Sequence, residues 1–211
     1  MSALAHGVQE AGPMSKVLDR VQAQGLLPAL SYYGGTVVLE RLGFHANDVY
    51  RNLRPTPYER PGLTFSCAYA FDEFSPSDCD QLDSYGGPAL RREFERAFDA
   101  GEWCVVAREN GRLGSVCWIG ESRDFVAFPG VTTSLIQRCF TLPEQRGRGL
   151  YALALAFVTR KLLDEDAERP VLVESSSFNR SSIRGIEKAG FERIGQHLEW
   201  RGRDRYVARP N

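Results

Sequence analysis

Apolar and polar positions alternate along this chain in patterns that assign most of its elements. Leu150, Leu153, Ala154, Phe157, Val158 and Leu162 recur at i, i+3, i+4, i+7, i+8 and i+12, which predicts an amphipathic helix over residues 149 to about 163. Two apolar runs, 103–107 and 113–119, flank Arg108-Glu109-Asn110-Gly111-Arg112, and the Asn-Gly pair predicts a hairpin. Residues 134–142 read as a strand that runs into the helix. Residues 171–174 read as a short buried strand, 181–189 as a helix ended by Gly190, and 191–200 and 205–208 as closing strands.

The first half is less regular. Residues 48–53 and 64–71 read as strands, the first stopped by the turn-forming run Arg54-Pro55-Thr56-Pro57. Ser77 is a candidate cap for a helix over 78–85. Pro88 opens a second helix over 89–100, with Leu90, Phe94, Ala97 and Phe98 on one face. Before them, Ser15, Val17, Leu18, Val21 and Gly25 predict a short amphipathic helix, and 32–42 reads as helix or strand. The expected organisation is a helical lead-in over 1–45 and one domain over 46–211, of α/β (α+β) class with a mixed sheet.

Composition removes several classes of function. The 211 residues carry 26 basic and 27 acidic side chains, a net charge of −1, with 43% hydrophobic residues. Such a chain is globular, and it lacks the cationic field of a nucleic-acid binder. Its apolar stretch 151–158 is far below the roughly 18 residues of a membrane span, and no secretory signal is visible at the start of the sequence. Five cysteines without a CxxC pair fit free thiols in a reducing compartment, so a cytoplasmic location is expected. Three scattered histidines predict no metal site.

Candidate chemistry lies between the strand 134–142 and the helix after it. In Pro143-Glu144-Gln145-Arg146-Gly147-Arg148-Gly149-Leu150-Tyr151, two glycines leave backbone N–H groups unobstructed at the positive end of a helix. That is a phosphate cradle, to which Arg146 and Arg148 can add charge. About forty residues on comes Asn179-Arg180-Ser181-Ser182-Ile183-Arg184-Gly185-Ile186-Glu187-Lys188-Ala189-Gly190-Phe191. Together the two blocks resemble the GCN5-related N-acetyltransferase (GNAT) superfamily, closely over residues 135–195 and loosely over 48–208.

The resemblance implies a mixed, mostly antiparallel sheet whose central parallel strands, 134–142 and 171–174, splay apart between flanking helices. It implies acetyl-coenzyme A, or another acyl-coenzyme A, as cosubstrate, with no metal, and a small-molecule amine as acceptor. Carried over residue by residue, Arg146, Gly147, Arg148, Gly149, Leu150 and Tyr151 bind the pyrophosphate. Backbone groups of Phe140, Thr141 and Leu142 pair with the pantetheine arm, and Asn179 and Ser182 support it from the other side. Glu174, at a strand end beside the cleft, is the candidate general base, with an arginine-paired carboxylate as its structural alternative. His197 is expected as an exposed strand residue, and Cys139 as a small core residue.

Two positions depart from the family pattern. Tyr151 stands at a small-residue position, and Ile186 stands where many members carry the tyrosine that protonates the thiolate. The acid is then solvent or another tyrosine such as Tyr206. Two rivals follow: a coenzyme A-binding module without turnover, and an oxidoreductase, since Gly147-x-Gly149-x-x-Ala152 also fits a permissive dinucleotide fingerprint. Charge is divided along the chain: residues 1–137 hold 12 basic and 17 acidic side chains, and residues 138–211 hold 14 and 10. The basic excess falls on the portion assigned to an anionic cosubstrate, and the acidic excess where a cationic acceptor is expected.

Overall fold

The computed structural model describes residues 44–52, 54, 56–200 and 203–209; the helix expected after Ser15 and the segment 32–42 lie outside them. The strands are β1 (Phe44–Asn52), β2 (Leu63–Ala68), β3 (Trp103–Glu109), β4 (Arg112–Ser122), β5 (Thr133–Thr141), β6 (Val171–Ser176), β7 (Phe191–Trp200) and β8 (Arg203–Ala208). The helices are α1 (Pro76–Asp99), α2 (Leu150–Glu165) and α3 (Arg180–Lys188). The strands form one sheet in the order β2-β3-β4-β5-β6-β1-β7-β8. Among the described residues β5 and β6 are the one parallel pair, and every other neighbour is antiparallel. A doubly wound dinucleotide fold needs a mostly parallel sheet, so the fingerprint at Gly147 does not sit in that architecture.

Local signals account for most elements. Asn110 and Gly111 both have positive φ, 52° and 76°, as a two-residue hairpin between β3 and β4 requires. Gly190, at φ 86°, ends α3; a Cβ there would lie 2.2 Å from the Arg54 carbonyl oxygen, so no other residue fits. The expected helices over 78–85 and 89–100 are the two halves of α1, parted where Gly87 leaves helical geometry just before Pro88. Their cap is Ser75 rather than Ser77. Ser75 Oγ accepts from the Asp78 N–H at 3.1 Å and Asp78 accepts from the Ser75 N–H at 3.1 Å, with Pro76 in the first turn. β1 begins at Phe44, four residues before the expected start. β2 ends at Ala68 instead of 71, because Phe71–Glu73 forms a 3-10 turn.

The two faces of the sheet are covered differently. Cys117, Ile119, Ile136, Val171 and Val173 pack with Ala154, Leu155 and Val158 of α2 and Ile186 of α3. Val116 and Trp118, on the opposite face, pack with Phe94 and Ala97 of α1. Further along that second face, Leu172 and Val49 meet Phe125 from the loop before β5.

Candidate functional site

The site begins where β5 and β6 stop pairing. Their register runs Ser134↔Val171, Leu135↔Leu172, Ile136↔Val173 and ends there, although both strands continue. What parts them is a bulge. Arg138 has φ 47°, and the β4–β5 register slips between Val116↔Phe140 and Trp118↔Gln137, which bends β5 away from β6. The expected splay is therefore present, and its cause is a left-handed non-glycine residue that no local pattern announces.

Alternation assigns the backbone groups along the opened edge. The Leu142 N–H donates to the Gly114 carbonyl at 2.9 Å and the Leu142 carbonyl accepts from the Gln145 N–H at 2.9 Å, so both are committed within the protein. The Phe140 carbonyl likewise faces β4, where it accepts from Ser115 Oγ at 2.8 Å. Between them, Thr141 turns its backbone away from β4 and toward the opening, as Cys139 does two positions earlier. Of the three residues expected to meet a pantetheine arm, only Thr141 offers main-chain groups on that side, and its carbonyl already accepts from Arg146 Nε at 3.2 Å. The Cys139 side chain is half-buried against the core under α2, as expected of a small packing residue.

Residues 146–151 close the top of the splay. Gly147 and Gly149 have φ 77° and 76°, and a Cβ at either would meet nothing within 4 Å, so the turn is bare on its outer side. Gly149 caps α2 without any side-chain hydrogen bond, and the first intrahelical bond runs from the Leu153 N–H to its carbonyl. The N–H groups of residues 150–152 thus end the helix with the positive pole of its dipole. Leu150 anchors this turn: its side chain is buried and packs so tightly on Gly114 that a Cβ there would lie 2.4 Å from Leu150 Cδ1. These features fit a diphosphate: an anion-seeking helix end, left-handed glycines and open space.

The two arginines of the turn have separate partners. Arg146 holds the Thr141 carbonyl. Arg148 forms an ion pair with the buried Glu109 and donates to Gln145 Oε1 at 3.3 Å. Arg60 pairs with the same Glu109 and donates to the Arg148 carbonyl at 2.6 Å. Neither Arg60 nor Glu109 carries any sequence signal, since they lie far from the turn along the chain. A cavity of about 540 Å³ lined by Tyr58, Glu59, Arg60, Pro61, Leu63 and Phe65 adjoins this cluster.

Facing the turn across the splay is the start of α3. Asn179 caps it: its Oδ1 accepts from the Ser182 N–H at 3.4 Å and from Ser181 Oγ at 3.0 Å. Tyr151 bridges the two helix starts. Its hydroxyl lies 3.3 Å from Ser182 Oγ, and its ring fills the space beside Gly185, where a Cβ would lie 2.5 Å from Tyr151 Cδ1. Burial pushes the Tyr151 phenol well above its ordinary pKa. Ile186 is fully buried in the core. Tyr206 donates its hydroxyl to the Ile194 carbonyl at 2.9 Å, so it is already engaged.

Glu174 is the first residue of β6 past the last pair with β5, and alternation with Val173 puts it on the face away from α2 and α3. Its partner is a histidine, not an arginine. His197 Nδ1 lies 2.8 Å from Glu174 Oε1, and His197 Nε2 lies 3.1 Å from Asp204 Oδ1. His197 is thus not the exposed strand residue that the sequence suggests: its side chain is 19% exposed and lies between two carboxylates. The hydrogen bond that His197 donates to Glu174 is the main cause raising its pKa from 6.5 to about 9, against the opposing effect of burial. No sequence pattern hints at this trio, because its members come from three strands.

No protein-family profile and no curated protein matches the chain. Solved structures do. An acetyltransferase of the GNAT family from Colwellia psychrerythraea superposes with a TM-score of 0.54 at 12% identity, covering 90% of this chain and 72% of its own. The tandem GNAT protein of the clavulanic acid biosynthesis pathway gives 0.52 at 16%, covering 83% and 57%. A GNAT-family protein from Novosphingobium aromaticivorans gives 0.50 at 18%, covering 74% and 62%. This chain therefore spans less than two thirds of the length of the last two. At these identities the likeness is one of fold, and the fold is that of the GNAT acetyltransferases.

Proposed function

We propose that this protein is an acyl-coenzyme A-dependent acyltransferase that carries an acetyl group from acetyl-coenzyme A to an amine of a small molecule, in a ternary complex. The observation that carries this reading is the coincidence, in one GNAT fold, of the β5–β6 splay with the bare helix start at 147–151. Acetyl-coenzyme A supplies an activated thioester. The chain's own residues do the rest: N–H groups of the turn and of residues 150–152 bind the diphosphate, Thr141 meets the pantetheine arm, and Glu174 takes the proton of the attacking amine. Asn179 and Ser182 flank the arm from α3. Solvent protonates the departing thiolate, since Ile186 offers no hydroxyl. A cytoplasmic setting fits five free cysteines, and no helix among the described residues is long and apolar enough to cross a membrane.

Tyr151 favours a second reading. Its side chain spans the gap between the starts of α2 and α3, and a cosubstrate entering there must displace it from Ser182. A coenzyme A-binding module that has lost turnover would tolerate such an obstacle. Thermal melting with acetyl-coenzyme A and with NADH, followed by a thiol-release screen over amines, separates the readings. Stabilisation by acetyl-coenzyme A alone together with thiol release supports the enzyme; stabilisation without release supports the binding module. Stabilisation by NADH alone sinks both.

A further inference from the structure

On the acceptor side of the splay, Glu174 is the first member of a three-residue chain that crosses three strands. Glu174 of β6 reaches His197 of β7 over β1, where their partners are Val49 and Asn47, and His197 continues to Asp204 of β8. Both imidazole nitrogens face carboxylate oxygens. A neutral ring carries one N–H and would turn a lone pair toward the second carboxylate, whereas a ring with two N–H groups donates to both. The titratable groups on this face around His197 are Glu174 from β6, Asp204 and Tyr206 from β8, Glu199 on β7 and His45 on β1. The loop before β5 adds the ring of Phe125, 6.2 Å away, flanked by the exposed Arg123 and Asp124.

The geometry points to His197 and Asp204 as positioning residues for Glu174, forming with it a base apparatus that takes cationic primary amines as acceptors. This rests on the acyltransferase reading. His197 holds Oε1 of Glu174, which fixes the carboxylate and leaves Oε2 for the acceptor; Asp204 in turn fixes the plane of the ring. As the amine nitrogen bonds to the acyl carbon, the C–S bond breaks and its electron pair leaves with sulfur. The amine proton passes to Glu174 Oε2, and water protonates the thiolate. Two carboxylates around one imidazolium leave the trio a net charge of −1, which attracts an ammonium; its first proton goes to bulk water before attack, and the second is the one that Glu174 takes.

The test compares wild type with His197→Ala, His197→Gln and Asp204→Asn, using acetyl-coenzyme A and spermidine, tryptamine and glucosamine as amine probes. Acetyl-coenzyme A affinity, read by calorimetry, is expected to stay within about twofold in all variants, because none touches the turn. His197→Ala is expected to lower kcat by roughly 100-fold with KM for the amine changed far less, and Asp204→Asn by roughly 10-fold. Wild-type activity falls as pH passes about 9, where His197 loses its proton; both His197 variants lose that limb. His197→Gln, which keeps one N–H for Glu174, recovers part of kcat, and it decides the matter if His197→Ala does not fold. Wild-type kcat and pH profile in both His197 variants overturn this proposal alone. Binding without release from any probe also overturns it and leaves a binding module, while no binding by wild type removes the acyltransferase reading with it.

Discussion

Two charged trios sit on opposite sides of the splay, and each inverts the other. Beside the glycine turn, Arg60 and Arg148 surround the buried carboxylate of Glu109, two positive charges to one negative. On the opposite face of the sheet from α2 and α3, Glu174 and Asp204 surround His197, two negative to one positive when the ring is protonated. Glu109 is buried beneath two partly exposed arginines, whereas His197 and Glu174 are shielded alike and only Asp204 reaches toward solvent. The contrast shows where a chain with net charge −1 concentrates its charge: a cationic excess beside the glycine turn proposed for a diphosphate and an anionic excess around the glutamate proposed as the base for an amine. Shielding makes both hold at physiological salt better than scattered surface charges would.

Placing the wrong sign in the cationic half disturbs this inverse relation most severely. Gly149→Asp adds a carboxylate at the start of α2 and forces a side chain into φ 76°. Strain at that φ costs on the order of 1 kcal/mol, but like-charge contact with a diphosphate dominates. Acetyl-coenzyme A affinity is expected to drop by at least about 100-fold, on the order of 3 kcal/mol, with Gly149→Ala as the control for strain alone. Calorimetry reads both; an unchanged affinity in the aspartate variant removes the turn from the site.

Glu109→Gln probes the same half in the opposite direction. Removing the central carboxylate leaves Arg60 and Arg148 without their shared partner, so stability is expected to fall by about 2 kcal/mol, less than for a fully buried pair because both arginines are partly exposed. Freed of Glu109, the two guanidiniums carry more net charge to the turn. Acetyl-coenzyme A binding is expected to tighten severalfold at low salt and to lose that gain at high salt. A melting curve and a salt series check the two signs; lower stability without tighter binding shows that the cluster only braces the fold.

Sequence revealed the turn and not the trios, for reasons that are physical. Gly147, Gly149, the α2 periodicity, the Asn110-Gly111 hairpin and the Gly190 cap are all local signals, each fixed by residues within a few positions. The α1 cap shows the limit of such signals. Ser75 and Ser77 each have an acid three residues on, and Pro76, which suits the first turn of a helix, selects the Ser75 frame. Arg138, which opens the splay, belongs to a residue type that seldom adopts positive φ. The place of β1 between β6 and β7 depends on pairings such as Arg51 with Leu172 and Asn52 with Phe191, which no window along the sequence contains. His197 inherits that problem: its partners are neighbours only once β6, β1, β7 and β8 are side by side.

A milder effect, on stability in the anionic half, follows from the sign of one titration. His197 in the folded protein holds its proton up to about 9, against 6.5 for an unconstrained ring. A raised pKa means that the folded state binds this proton more tightly than the unfolded state. The added stability is fully present below pH 6.5 and is lost as pH rises through about 9. With Asp204 half exposed, the loss is expected to be about 2 kcal/mol. Wild type is thus expected to lose melting temperature across that window and His197→Gln to show a flatter profile, both read in the absence of any cosubstrate. A wild-type profile as flat as the variant's would mean that His197 does not carry both protons between Glu174 and Asp204, and the inverse relation between the two trios would fail on its anionic side.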